Sequence, residues 1–230
     1  MKIGGLQKLT LVDYPGKVAA TVFLIGCNFR CGFCHNPELI TWDKSQKEIA
    51  EKEFFEFLDS KEGLIEGICI SGGEPTIYSD LIDFIKKIKA KGFSVKVDTN
   101  GSNPEILKKM IEEKLIDFIA MDIKTSLEKY EKATNTKIDL EKIKKSAELI
   151  KNSGIDYEFR TTVVPVLVEK EDIEKIGEWL GGAKKIALQQ FRNQKVLDKI
   201  FEKLQPYSDE MLKEFVKILE KHIKGVELRL

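Results

Sequence analysis

Six short runs rich in Val and Ile, separated by longer charged stretches of helical period, constrain the fold of this chain more than any other feature. The runs are Val18–Ile25, Gly67–Ser71, Ser94–Asp98, Phe118–Ile123, Tyr157–Val164 and Lys185–Gln190. Between them the apolar spacing predicts helices over Lys47–Leu58, Asp80–Lys91, Pro104–Glu113, Leu140–Asn152 and Glu171–Leu180. A last helix, Ser208–His222, precedes a short strand, Val226–Leu230. Strands joined by helix-length segments pair in parallel, because a parallel neighbour needs a crossover of a dozen or more residues. Asn103 before Pro104 reads as an N-cap followed by proline in the first turn. Gly92 and Gly154 stand where helix-ending glycines belong. No Pro/Gly/Ser-rich linker interrupts the pattern, so residues 1–230 read as one domain. Within it, 1–17 is a hairpin-like extension, 18–192 the core, and 193–230 the closing helix and strand. The rhythm predicts an α/β fold, either an open doubly wound sheet or a barrel.

In both architectures ligands bind at the carboxyl ends of the strands. Those ends read Gly26-Cys27, Ser71-Gly72-Gly73-Glu74-Pro75, Asp98-Thr99-Asn100-Gly101 and Met121-Asp122-Ile123-Lys124. The fifth strand runs from near Arg160 to Pro165, and the sixth ends in Gln189-Gln190-Phe191-Arg192. Carboxylates, amides and glycines collect on one side, which a purely structural sheet does not need. Asp98-Thr99-Asn100-Gly101 also reads as an Asx turn into the next helix. Gln189 and Gln190 alternate in facing, so only one of them reaches a site there.

Charge and cysteine usage narrow the function. Lys and Arg number 38 and so do Asp and Glu, which argues against a dedicated nucleic-acid binder. The longest run free of charge, Val18–Phe29, has twelve residues, short of the about 20 that span a bilayer. The N-terminal residues carry no apolar signal core, so the expected location is cytoplasmic. Three of the four cysteines, Cys27, Cys31 and Cys34, fall within eight residues. Soft thiolates packed this way suit zinc or iron–sulfur. A structural zinc wants four ligands, and the nearby fourth candidate is His35, adjacent to Cys34. A cubane cluster takes four cysteines, and Cys69 reads as a small buried residue inside a strand. Three ligands for four irons leave one iron open, and an open iron is a place for substrate. Among the remaining residues, His222 is expected to be solvated, and Phe54, Phe55 and Phe57 to be helix core.

Cys27-x3-Cys31-x-Phe33-Cys34 resembles the signature of the radical S-adenosylmethionine enzymes. Gly72-Gly73-Glu74 resembles that family's glycine-glycine-glutamate motif. Val97-Asp98-Thr99-Asn100-Gly101, Met121-Asp122-Ile123-Lys124 and Cys34-His35-Asn36 resemble stretches of its glycyl-radical-enzyme activases. The opening, LQKLTLVDYPGK to VFLIGCNFRCGFCHNPELI, is most similar to the subgroup of anaerobic ribonucleoside-triphosphate reductase activating proteins. The resemblance runs from Ile3 to about Arg192.

It implies a partial (β/α)6 barrel of the TIM type and a [4Fe-4S] cluster ligated by Cys27, Cys31 and Cys34, with S-adenosyl-L-methionine on the open iron. It implies that Gly72 and Gly73 let the methionine moiety approach the strand backbone, and that the Glu74 carboxylate helps hold its amino group. Phe33 is expected beside adenine, with backbone groups from Phe33 to His35 at its polar edge. Asp98, Thr99, Asn100, Asp122 and Lys124 are expected to line the middle of the site. Similar positions in pyruvate formate-lyase activase bind the carboxylate or ribose and a monovalent cation, here placed near Asp98 and Asp122. Arg160 is expected to pair a carboxylate with its planar fork. The implied partner is a glycyl-radical enzyme, foremost anaerobic ribonucleotide reductase, with flavodoxin or ferredoxin as electron donor. A pyruvate formate-lyase-type activase, a small-molecule enzyme similar to 7-carboxy-7-deazaguanine synthase, and a zinc-stabilised binding module are the alternatives.

Overall fold

The computed structural model describes residues 1–43 and 45–230. The elements run β1 (Ile3–Thr10), β2 (Ala19–Leu24), α1 (Glu51–Asp59), β3 (Gly67–Gly72), α2 (Leu81–Ala90), β4 (Ser94–Thr99), α3 (Pro104–Glu112) and β5 (Phe118–Asp122). They continue with α4 (Tyr130–Thr134), α5 (Leu140–Lys151), β6 (Asp156–Val163), α6 (Lys170–Trp179), β7 (Lys185–Gln190), α7 (Asp209–Leu219) and β8 (Gly225–Arg229). All eight strands form one sheet in chain order. β2 to β8 are parallel, and β1 turns back antiparallel along β2, from Ile3 opposite Leu24 to Thr10 opposite Ala19. The expected six-stranded partial barrel thus gains a seventh parallel strand, β8, and an antiparallel edge, β1. The hairpin expected within residues 1–17 is instead the pair of that extension with the first core strand.

Each strand presents two different faces. Val95 and Val97 of β4, Ile68 and Ile70 of β3, and Ile186 and Leu188 of β7 point outward and are fully buried. Helix residues such as Ile85, Leu107, Ile143, Ile176 and Phe215 belong to the same apolar core. Phe54 of α1 packs against Phe84 of α2 at 5.2 Å between ring centroids; of the three phenylalanines read as helix core, Phe54 is buried, and Phe55 and Phe57 are half-buried against the core. The other face is concave. Its strand residues include Thr21, Cys69, Lys96, Asp98, Asp122, Glu158, Arg160 and Arg229, where a closed TIM barrel carries bulky branched side chains. Tyr14, from the loop between β1 and β2, closes the bottom against Phe118 and Gly67, with its ring centroid 6.1 Å from that of Phe118.

Several boundaries differ from expectation for physical reasons. α1 starts at Glu51 rather than Lys47, because Ile49 donates its N–H to Ile3 O (2.9 Å) and holds that stretch extended. Asn103 occupies the N-cap position of α3, but its side chain donates to Thr76 O (2.9 Å) instead of capping. Gly92 and Gly154 take positive φ (85° and 74°) past α2 and α5, as expected of helix-ending glycines. His222 is half-buried rather than solvated, because Gly177 of α6 leaves a slot that its ring fills. Among the described residues no helix is long and apolar enough to cross a membrane.

Candidate functional site

The carboxyl ends of β2 to β7 surround a cavity of about 330 Å³. All the residues singled out from the sequence line it: Cys27, Cys31 and Cys34; Phe33 and His35; Gly72, Gly73 and Glu74; Asp98, Thr99 and Asn100; Asp122, Lys124 and Arg160. Asp13, Phe23, Ser71, Thr162 and Gln189 line it too. Gln189 faces the cavity, while Gln190 turns away and donates to Tyr207 O (2.7 Å), as the alternation of facing requires.

The three cysteines ride on the loop after β2, which is pinned on both flanks. Gly26 and Cys27 donate backbone N–H groups to Leu39 O and Ile40 O (2.7 and 2.9 Å). The Arg30 guanidinium folds back onto Cys27 O and Phe29 O (2.6 and 2.8 Å). From the far end of the chain, Leu197 and Asp198 donate to Cys34 O and Gly32 O (3.2 and 2.8 Å). A Cβ on Gly32 would lie 2.4 Å from the Phe201 ring, so only glycine lets that ring close over the loop. Phe33 meets the same ring edge-on at 6.1 Å, and His35 donates its Nε2–H to Arg192 O at 2.8 Å, since a carbonyl can only accept. The sequence carried no sign of Arg30, Gly32 or Phe201, because their partners lie far along the chain or on the backbone.

Burial pushes the thiols of Cys27, Cys31 and Cys34 up, Cys31 to about 12. Such thiols become ligands only by shedding protons as metal binds. Among the described residues, no three His, Cys, Asp or Glu side chains gather tightly enough for a single ion. A four-iron cluster asks each thiolate to meet a different iron, and three separate thiols on one loop facing one cavity suit that donor set.

Gly72 and Gly73 are also required by the packing of the protein itself. A Cβ on Gly73 would stand 2.0 Å from Gly26 O, and one on Gly72 would stand 2.4 Å from the Leu24 backbone, with φ at +117°. The close approach they permit is that of the tip of β3 to the backbone of β2. Gly73 N donates to Leu24 O (2.8 Å) and Glu74 N to Gly26 O (2.7 Å). The Glu74 carboxylate is engaged within the protein. Thr76 N, Thr76 Oγ1 and Thr99 Oγ1 donate to Oε1 (3.1, 2.6 and 2.7 Å), and Asn100 N donates to Oε2 (2.6 Å). Burial raises its pKa, and these four donors oppose the rise. Glu74 therefore clasps the loops after β3 and β4. Asn100 Oδ1 accepts from Ser102 N (2.9 Å), the expected Asx turn, and its Nδ2 donates to Asn28 Oδ1 on the cysteine loop (2.8 Å).

The middle of the cavity is a chain of ion pairs. Arg160 Nε donates to Asp122 Oδ1 (2.8 Å) and Nη1 to Asp98 Oδ2 (3.2 Å). Lys124 Nζ pairs with Asp122 Oδ2 (3.1 Å). Lys96, 1% exposed and absent from the sequence reading, pairs with Asp98 Oδ1. Ser71 Oγ donates to Asp98 Oδ2 (2.9 Å). Burial works against the charge on Asp122, but Arg160 and Lys124 hold its carboxyl at about 2. Burial also works against the Lys124 ammonium, and Asp122 and the Cys31 thiolate form outweigh it, so its pKa rises. The short helix α4, not expected from the sequence, sets Tyr130 beneath the backbone of Lys124. A monovalent cation was expected between Asp98 and Asp122; three protein cations stand there instead. Cys69 is buried as expected, though its neighbour is the Lys96 ammonium at 3.5 Å.

Comparison with known proteins follows the same lines. The sequence model described as the Radical SAM superfamily matches residues 21–180. A Methanocaldococcus jannaschii protein named as a glycyl-radical enzyme activating enzyme is 37% identical over 232 residues, covering 99% of this chain and 95% of that one. The pyruvate formate-lyase-activating enzyme of Clostridium pasteurianum is 32% identical over 191 residues, covering 76% of this chain and 74% of its own. Among solved structures, TYW1 with a lysine-pyruvate adduct superposes with a TM-score of 0.65 at 18% identity, over 88% of this chain and 73% of that one. A domain of the pyruvate-formate lyase-activating enzyme from Bacteroides vulgatus gives 0.54 at 19% identity, over 71% and 98%. These two likenesses speak to the fold.

Proposed function

The chain belongs to the radical SAM superfamily, and from that premise we propose that it is an activase that installs a glycyl radical on a partner enzyme. The protein is an enzyme, and its family works with a [4Fe-4S] cluster and S-adenosylmethionine. One observation carries the reading: three thiols from a single pinned loop face the same cavity as a set of ion-paired cations. Cys27, Cys31 and Cys34 would hold the cluster. When bound, the cluster and S-adenosylmethionine together supply a one-electron reductive cleavage and, through it, hydrogen-atom abstraction.

The chain's own residues bind and orient. Within the connected group, Lys96, Lys124 and Arg160 set three positive charges against those of Asp98 and Asp122, an excess of one that favours a carboxylate ligand. Phe33, braced by Phe201, offers an apolar wall for an adenine ring. Glu74 and Asn28 keep the loops around the cavity in register without spending their polar groups on the ligand. The unpaired edges β1 and β8 leave the curl open at the side, which gives a partner's glycine loop a way in.

The partner we favour is anaerobic ribonucleotide reductase, on the resemblance of the first forty residues, with flavodoxin or ferredoxin as donor in a cytoplasmic setting. A pyruvate formate-lyase-type partner is the second reading, supported by the identity to the Clostridium pasteurianum enzyme. Residues 1–230 would act as one domain, since every strand shares the sheet. Dithionite-reduced, reconstituted protein is expected to cleave S-adenosylmethionine to 5′-deoxyadenosine, and Cys31→Ala to lose that ability. Mixing with either reductase or lyase then reads the partner directly, as a glycyl doublet in electron paramagnetic resonance. Equal cleavage by Cys31→Ala would sink the cluster assignment.

A further inference from the structure

The residues between Asp98 and Asp122 do not fit the monovalent cation that the family resemblance implies. All four carboxylate oxygens already face protein donors. Lys96 Nζ meets Asp98 Oδ1, while Ser71 Oγ and Arg160 Nη1 meet Oδ2 (2.9 and 3.2 Å). Arg160 Nε and Lys124 Nζ take the two oxygens of Asp122 (2.8 and 3.1 Å). A metal ion entering there would meet an ammonium or a guanidinium beside every oxygen of the two carboxylates, with no unmatched negative charge on them to hold it. The other carboxylates on the cavity wall are also held, Asp13 by Thr21 Oγ1 (2.6 Å) and Glu74 by its four donors.

Lys96 is the unusual member. It lies on the concave face of β4, two residues before Asp98 and on the same side, and is 1% exposed. The polar partners of this buried ammonium are Asp98 and Cys69. We propose that the Lys96 ammonium is a built-in cation: it holds Asp98 in place for Arg160, and the site binds S-adenosylmethionine without a bound monovalent metal ion. This rests on the reading of the cavity as an S-adenosylmethionine site. Lys96 is a positioning residue, acting through Asp98 and Arg160.

The test is calorimetric titration of anaerobic, reconstituted protein with S-adenosylmethionine. The sole monovalent cation is sodium, potassium or tetramethylammonium at equal ionic strength, the last too bulky to enter beside Asp98. Wild type is expected to show one Kd, within about twofold, in all three. Lys96→Ala removes the ammonium and opens room beside Asp98. It is expected to bind about fivefold or more weakly in tetramethylammonium and to recover in sodium or potassium. Wild-type affinity that rises about fivefold with sodium or potassium overturns the inference and leaves the proposed function standing. Lys96→Ala with wild-type affinity in every salt overturns it as well. Absence of binding by wild type in every salt overturns the proposed function and the inference with it. Should Lys96→Ala not fold, wild type alone still decides. Its cluster-free melting midpoint is expected to be the same in potassium and tetramethylammonium, and a potassium-specific rise counts against the built-in cation.

Discussion

Arg160 on β6 reaches over β5 to Asp98 on β4, Nη1 to Oδ2 at 3.2 Å, while its Nε holds Asp122 on the strand between. One fork thus ties three neighbouring strand ends at the floor of the cavity. A lysine keeps the charge but offers a single point in place of the fork. Arg160→Lys is expected to bind S-adenosylmethionine about tenfold more weakly while retaining full iron content. Iron analysis beside calorimetry checks it, and parallel loss of iron would mean that the fork supports the cluster loop instead.

Among the glycines, Gly73 leaves the least room beside backbone: a Cβ there would stand 2.0 Å from Gly26 O. Gly73→Ala forces β3 away from β2 and is expected to cost at least about 2 kcal/mol of unfolding free energy. Gly5 on β1 is a matched control, since a Cβ there meets the Phe23 side chain at an ordinary 3.5 Å. Gly5→Ala should change stability by less than about 1 kcal/mol. Urea unfolding of the two variants separates the cases, and similar costs would refute the packing argument.

Cys69 distinguishes ligand from bystander. It is fully buried and faces Lys96, and it is not among the residues lining the cavity. Cys69→Ala is expected to reconstitute with as much iron as wild type, whereas Cys27→Ala and Cys34→Ala should hold little. Iron and sulfide analysis, with the visible absorption of the reconstituted proteins, gives the answer.

Acid should weaken the cavity floor in a defined window. Arg160 and Lys124 lower the Asp122 carboxyl from 3.8 to about 2 against the opposing effect of burial. Because the folded value lies below the unfolded one, the stabilisation is complete above about pH 4 and is lost as pH falls towards about 2. Roughly 1–2 kcal/mol is at stake, allowing for partial exposure of the carboxylate. The stability gap between wild type and Asp122→Asn, measured by urea unfolding at several pH values, is expected to close over that window. A gap that stays constant would mean that the ion pairs contribute nothing.

Much of this site was legible because it lies on strand ends. The βα rhythm placed Gly26-Cys27, Glu74, Asp98-Thr99, Asp122-Lys124 and Arg160 at the carboxyl side of one sheet, and the sheet gathers them into one cavity. The concave charge was also written in the sequence and went unread. In Ser94-Val-Lys-Val-Asp-Thr99 the valines alternate with Lys96 and Asp98, which puts both charges on one face. The remainder was beyond local reading. The shortened start of α1 depends on Ile3, the service of Gly73 on Gly26 O, and the slot for His222 on Gly177. Each is a contact between segments that sequence periodicity treats as independent.

The clasp on the cysteine loop bears on how the enzyme matures. Cys34 leaves the ribosome about 160 residues before Asp198, whose N–H takes the carbonyl of Gly32, and before Phe201, which covers that glycine. A nascent chain that has emerged only as far as α6 carries all three thiols but lacks the segment that frames them. On the proposed function, iron capture would therefore be a late event in the life of this protein. The last β–α unit decides whether the first loop is ready to receive it.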